Sequence, residues 1–400
     1  MGFLPSETQV SRFFFPWKKT KPKKLQNWPF TEGKCIRFSL NEIRTATNDF
    51  NLRLGSGAFC DVYKGHIITD GTDMDVVIKC LKKDNQIQPE SAFETEILLF
   101  CQLRHPNLVS FIGFCEEGDD RMLVYEFLDN GPLSNHLFGK TAGDPLSWKK
   151  RLDICIGAAR GVHYLHTGIK HAIIHRDLKS FNILLDKDLV PKLSALGLSK
   201  LGGTNVKNKL DKAPSRKTGT LGYADPEYLE SGNVTQKSDV FAFGVVLFEV
   251  LCVRSSAKFK ECMDGTSLFD IIDPYLKGEI APDCLRKFVD IAERCVRRTG
   301  AQRPTMGEVE VELEDALELQ EKSDSSKNLE TSTSIAPAHH NYTYDGMTFR
   351  TIKDIFFWFA EDSLSNNFTT CLSENNTTVF SDKSTTNMKK KNDTFVVNSY

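Results

Sequence analysis

The sequence predicts an α+β fold of two lobes: a small β-rich N-terminal lobe with one main helix, and a larger helical C-terminal lobe. Two patterns carry that prediction. Residues from about Asn51 to Phe127 read as strands around one helix, with a glycine-bearing turn between the first two strands. Beyond them, helical spacing dominates to about Leu319. At 400 residues and 40% hydrophobic, the chain has enough apolar surface for one large or two medium globular units.

Residues 1–37 show neither helical nor strand period and read as a disordered basic and aromatic tail. Phe13, Phe14, Phe15 and Trp17 precede Lys18, Lys19, Lys21, Lys23 and Lys24. Met1-Gly2-Phe3-Leu4-Pro5-Ser6 fits the N-myristoylation pattern, and a basic patch is the second signal that one acyl chain needs to hold a membrane. The competing reading is a solvated tail.

Order is expected from Phe38. Ser39 and Glu42 form a capping box, and Leu40, Ile43, Ala46, Thr47 and Phe50 follow at helical spacing. The small lobe then covers about 38–127 and the large lobe about 128–320. Val240 to Leu251 is too short to span a bilayer and carries Glu249, so it reads as a helix buried in the core. Thr305 and Glu308 cap the last helix. Residues 321–400, rich in Ser, Thr and Asn, read as a mostly disordered tail. Within it Ile352 to Phe359 is an apolar island suited to packing back or to binding a partner.

The net charge of −2 gives no global electrostatic case for nucleic-acid binding. The 11 cysteines have no C-x-x-C pair or metal-ligand spacing, so reduced and mostly buried thiols are expected, without a disulfide framework.

The chemistry-bearing residues come in a fixed order. In Leu54-Gly55-Ser56-Gly57-Ala58-Phe59-Cys60-Asp61-Val62, Gly55 and Gly57 allow a backbone to approach phosphates without a Cβ in the way. Val76-Val77-Ile78-Lys79 places a lysine on the next strand, and Glu96 on the following helix is positioned to pair with it. In His175-Arg176-Asp177-Leu178-Lys179-Ser180-Phe181-Asn182, Asp177 suits a base for an attacking hydroxyl. Lys179 suits charge on a transferred phosphate, and Asn182 suits a magnesium ion.

With Leu103-Arg104-His105-Pro106-Asn107-Leu108-Val109 and Gly219-Thr220-Leu221-Gly222-Tyr223-Ala224-Asp225-Pro226-Glu227-Tyr228, these strings resemble the plant receptor-like protein kinases. The likeness is to their malectin-type, Feronia-like group, over about Phe38 to Gln320. The resemblance implies a bilobal kinase fold, ATP as cofactor and serine/threonine rather than tyrosine acceptors. It also implies nucleotide contacts from Val62, Val77 and Leu184, a gatekeeper at Tyr125, an anchor for the catalytic loop at Asp239, and a Glu227–Arg303 pair. Lacking an ectodomain and a span, the chain is similar to a receptor-like cytoplasmic kinase. The expected partners are then receptor-like kinases or other signalling proteins, with peripheral membrane contact through the N-terminus and no nucleic acid. The expected location is the cytoplasm, including the inner face of the plasma membrane.

Four departures from that family matter. Where it carries Asp-Phe-Gly, this chain reads Ala195-Leu196-Gly197, which removes the main Mg2+ carboxylate and makes metal use doubtful. Cys60 replaces a loop glycine, Val77 stands for the usual alanine above adenine, and Val253 to Asp270 is short. Leu196 still offers an apolar side chain where the phenylalanine packs. The expectation is a pseudokinase acting as scaffold or allosteric partner; the alternative is an active or weakly active serine/threonine kinase. Ser215, Thr218 and Thr220 are candidate acceptors for another kinase, with Arg176 placed to receive a phosphate.

Overall fold

The structure, a computed structural model, describes residues 35–56, 60–69, 71–82, 90–139, 144–201, 217–220, 222–259, 265–331, 342–344, 347, 350–356 and 368–370. The small lobe is built on β1 (Ile36–Phe38), β2 (Arg53–Ser56), β3 (Cys60–Thr69), β4 (Thr72–Leu81), β5 (Phe111–Glu117) and β6 (Asp120–Glu126). They form a six-stranded sheet in the order β1-β5-β6-β4-β3-β2. Only β1 runs parallel to its neighbour. Its close approach to β5 depends on Gly113, where any Cβ would collide with the Ile36 carbonyl oxygen.

Helix α1 (Leu40–Ala46) lies on one face of the sheet, and α2 (Glu90–Phe100) on the other. The Ser39–Glu42 capping box forms as expected. The helix nevertheless stops before Phe50, because Asn48, Asp49 and Phe50 all take positive φ.

The large lobe begins with β7 (Gly131–Pro132), α3 (Leu133–Phe138) and the long α4 (Trp148–Thr167). Short pairs follow: β8 (Ile173–Ile174) with β11 (Lys200–Leu201), and β9 (Ile183–Leu185) with β10 (Pro191–Leu193). After β12 (Lys217–Gly219) come α5 (Pro226–Ser231), α6 (Gln236–Cys252), α7 (Ser256–Phe259), α8 (Leu268–Ile271), α9 (Pro282–Cys295) and α10 (Met306–Thr331). Helix α6 is buried from Ser238 to Cys252, as a helix apolar on every side must be. Phe241, Phe243 and Phe248 are all fully enclosed. Each such side chain contributes roughly 2–3 kcal/mol of burial. The bilobal α+β architecture is the one the sequence predicts.

Three expectations require correction. First, α10 does not end near Gln320 but runs to Thr331. Second, part of the C-terminal tail is folded: α11 (Ile352–Ile355) packs against the large lobe with Ile352, Ile355 and Phe356 buried. The apolar island thus finds a seat lined by Phe248 and Phe259, and the Thr351–Asp354 capping box starts its turn. A strand β13 (Phe368–Thr370) pairs in parallel with β12. Third, a disulfide joins Cys35 and Cys101, whose Cα atoms are 5.7 Å apart. The parallel β1–β5 pairing brings Cys35, just before β1, beside the end of α2, a proximity that sequence spacing does not encode. Cys115, Cys155, Cys252, Cys284 and Cys295 are buried and form no disulfide, as expected.

Candidate active site

The nucleotide side of the cleft rests on β4, whose Val76, Val77 and Ile78 are all buried. That setting fixes Lys79, and its ammonium lies 3.4 Å from a Glu96 carboxylate oxygen on α2. Burial alone would push the Lys79 ammonium down. The charge and hydrogen bond of Glu96, with the charge of Asp177, outweigh it and hold the group above the usual lysine range. Tyr125, opposite Val77 on β6, donates its hydroxyl to the same Glu96 oxygen at 2.5 Å. Burial, then the Glu96 charge, pushes the Tyr125 phenol well up, so it stays a donor.

Val62 on β3, Val77 on β4 and Leu184 on β9 are all buried. Gly55 lies in β2 opposite Val62, while Gly57 falls outside the described residues. Burial also raises the Cys60 thiol, so it remains neutral beside Lys79.

The catalytic-loop side hangs from α6. Asp239 accepts the backbone N–H groups of His175 (2.8 Å) and Arg176 (2.9 Å), and a ring nitrogen of His166 lies 2.8 Å away. Desolvation would raise its carboxyl, but the hydrogen bonds from His166 and from the Arg176 backbone N–H hold it below the usual range. Suspended there, Arg176 takes a left-handed φ of 70° and turns the chain toward the cleft.

Asp177 then meets Lys179 at 3.1 Å, and the Thr220 hydroxyl donates to Asp177 at 2.6 Å. Lys179 in turn donates to that hydroxyl at 2.9 Å. The Asn182 amide donates to the Asp177 carbonyl (2.6 Å) and carboxylate (2.9 Å).

Position 195 has the backbone without the ligand. Ala195 sits at φ 63°, ψ 53°, a left-handed conformation that costs an L-residue roughly 1–2 kcal/mol. It is held there on both sides. The Ser194 N–H donates to Asn182 O at 3.0 Å, the Ser194 carbonyl lies 3.0 Å from a His175 ring nitrogen, and Leu196 is fully buried. Of the residues expected to face a metal, Asn182 and Asp177 remain, and the Asp177 carboxylate is already engaged by Asn182, Thr220 and Lys179. Among the described residues, no group of three or more His, Cys, Asp or Glu side chains could hold a metal ion.

The phosphoacceptor candidates separate. Ser215 lies outside the described residues, and Thr218 is placed only as part of β12. Thr220 is committed to Asp177 and Lys179, contacts it must leave before it could accept a phosphate. The expected Glu227–Arg303 pair does not form. Arg303 pairs with Asp225 at 2.6 Å, and Glu227 accepts the Gly300 N–H instead. Aspartate at 225 caps α5 from the nearer position, which leaves Glu227 to the 300 turn.

A second buried acid lies outside the residues that the sequence singled out for chemistry. Glu249 on α6 accepts the Tyr223 hydroxyl at 2.6 Å and the Ser256 N–H at 3.0 Å. Burial pushes its carboxyl up to about 7. Its only sequence signal was a charge inside an apolar helix. Among the described residues, no helix is long and apolar enough to cross a membrane.

Comparison with known proteins fits this geometry. The protein tyrosine and serine/threonine kinase family matches residues 49–313. The chain is 45% identical over 338 residues to the receptor-like protein kinase ANXUR2 of Arabidopsis thaliana, covering 81% of this chain and 38% of that protein. It is 46% identical over 307 residues to the receptor-like protein kinase FERONIA of the same plant, covering 72% of this chain and 33% of that protein. The likeness to ANXUR1 is 46% over 311 residues, covering 74% and 36%. The chain thus spans less than two fifths of the length of these relatives. A fold with this cleft, matched by these relatives, assigns the chain to the protein kinase family, within its plant receptor-like group.

Proposed function

We propose that this chain is a pseudokinase of the receptor-like cytoplasmic type, working in plant signalling by binding rather than by phosphate transfer. The observation that carries the reading is Ala195: a methyl group on a backbone still shaped for the metal-binding aspartate. Kinase domains use ATP and usually Mg2+. Here the nucleotide-facing residues fit ATP, with Lys79 free on one side to meet phosphates and Val62, Val77 and Leu184 to sandwich a base. The metal-facing residues do not fit Mg2+, and no step through it is derived.

In this reading the partner is a receptor-like kinase or another signalling protein that docks on the kinase-shaped surface. The Lys18–Lys24 cluster and Gly2 would add peripheral contact with the inner face of the plasma membrane.

A second reading has its own support. Asp177, Lys179 and Thr220 contact one another as an acceptor site should, so a weakly active serine/threonine kinase fits that half of the cleft. Ala195→Asp separates the two. A metal clamp is worth several kcal/mol in the transition state, and about 4 kcal/mol is roughly a thousandfold in rate. Transfer from radiolabelled ATP to serine/threonine peptides should therefore rise about a thousandfold in Ala195→Asp. If the unaltered chain already turns over at ~1–100 per second, as kinases ordinarily do, the pseudokinase reading fails.

A further inference from the structure

The described parts of the C-terminal tail form two contacts with different tasks. The first is an anchor. The Ile352 N–H donates to Thr266 O at 3.0 Å, and the Leu268 N–H donates to Arg350 O at 3.1 Å. Phe356 is fully buried, 5.0 Å from the Phe248 ring and stacked at 5.2 Å on Phe259. Upstream, the Tyr342 N–H donates to Gly278 O at 2.8 Å and the Tyr344 hydroxyl donates to Ile280 O at 3.0 Å. The second contact is β13, paired in register with the activation segment: Lys217 with Phe368, Thr218 with Thr369, Gly219 with Thr370.

Among the described residues β12 pairs with β13 alone, the two making up a two-stranded sheet. Without β13, its backbone edge is open to any extended chain. That edge runs directly into Thr220, which touches both Asp177 and Lys179.

We propose that the tail covers this edge in cis: the Ile352–Phe356 anchor holds Phe368–Thr370 on the strand to which an extended peptide of a partner protein would otherwise add. Only residues 357–367 separate anchor from strand. Over so short a covalent connection the pairing is intramolecular, with an effective concentration of order millimolar, so a peptide at micromolar concentration competes poorly. Access to the acceptor side of the cleft then depends on displacing the tail. The inference stands whether or not the cleft transfers phosphate, so its test is independent of the Ala195 account.

Two variants test it against the full chain. One ends after Phe356 and keeps the anchor. The other is full length with Thr369→Pro and Thr370→Pro, which remove both threonine amides. Amide hydrogen exchange at 217–219 should accelerate tenfold or more in each. A labelled peptide of residues 364–374 should bind the shortened chain at least tenfold tighter than the full chain. Exchange within twofold of the full chain in both variants, or equal peptide affinity, overturns the proposal. Should the shortened chain not fold, the double-proline variant decides by exchange alone.

Discussion

The two walls of the cleft differ in what they have kept. The catalytic-loop wall retains both shape and chemistry: Asp239 fixes the loop, and Asp177, Lys179 and Asn182 meet within hydrogen-bonding distance. The wall across from it retains shape alone. Its backbone turns through the left-handed conformation at Ala195 and buries Leu196, yet no oxygen projects from position 195. The contrast teaches that different residues set the geometry of a site and its reactivity. Buried anchors on α6 and the flanking hydrogen bonds maintain the turn, so losing one carboxylate removes chemistry without collapsing the form.

If that separation is right, damage to the anchor should cost far more stability than changes at 195 do. Asp239→Ala would strip partners from two backbone N–H groups and from His166, all in the core. Breaking a buried charged network of this kind costs roughly 3–5 kcal/mol. Urea unfolding measures it, and a loss below about 1 kcal/mol would mean that the loop does not hang from α6.

A slightly smaller effect is expected at Glu249, the other acid on that helix. Its folded-state value of about 7 lies above the ordinary 4.5. The folded chain therefore holds an extra proton between those values, so this contribution is complete below the lower one and is lost as pH rises through about 7. At ~1.4 kcal/mol per unit, the loss approaches about 3 kcal/mol by pH 8. Glu249→Gln should recover most of it at pH 8 and change little at pH 4.5. Equal gains at both would show that ionisation there is irrelevant.

Much of this contrast was legible in the residue order. The glycine turn, Lys79, Glu96 and the 175–182 string declared both fold and site, because phosphate-handling side chains recur at set intervals along one chain. The loss at 195 was equally plain, being a single letter in a known context. What could not be read were the long-range meetings. Arg303 chooses Asp225 over Glu227 by a distance that only the packed helices define. Cys35 reaches Cys101 through a strand pairing of opposite sense to the rest of its sheet. In the tail the Ser, Thr and Asn content reads as disorder while the apolar island at Ile352 to Phe359 stands out; that it packs back rather than binding a partner depends on a seat at Phe248 and Phe259, far away in sequence.

The central claim concerns the metal, and nucleotide titration addresses it most directly. The affinity of the full chain for ATP is measured by calorimetry, once with excess Mg2+ and once with a chelator. The account predicts dissociation constants within about twofold of each other, since position 195 contributes no oxygen for the ion to bridge. A tenfold or greater tightening with Mg2+, equivalent to about 1.4 kcal/mol, would contradict it.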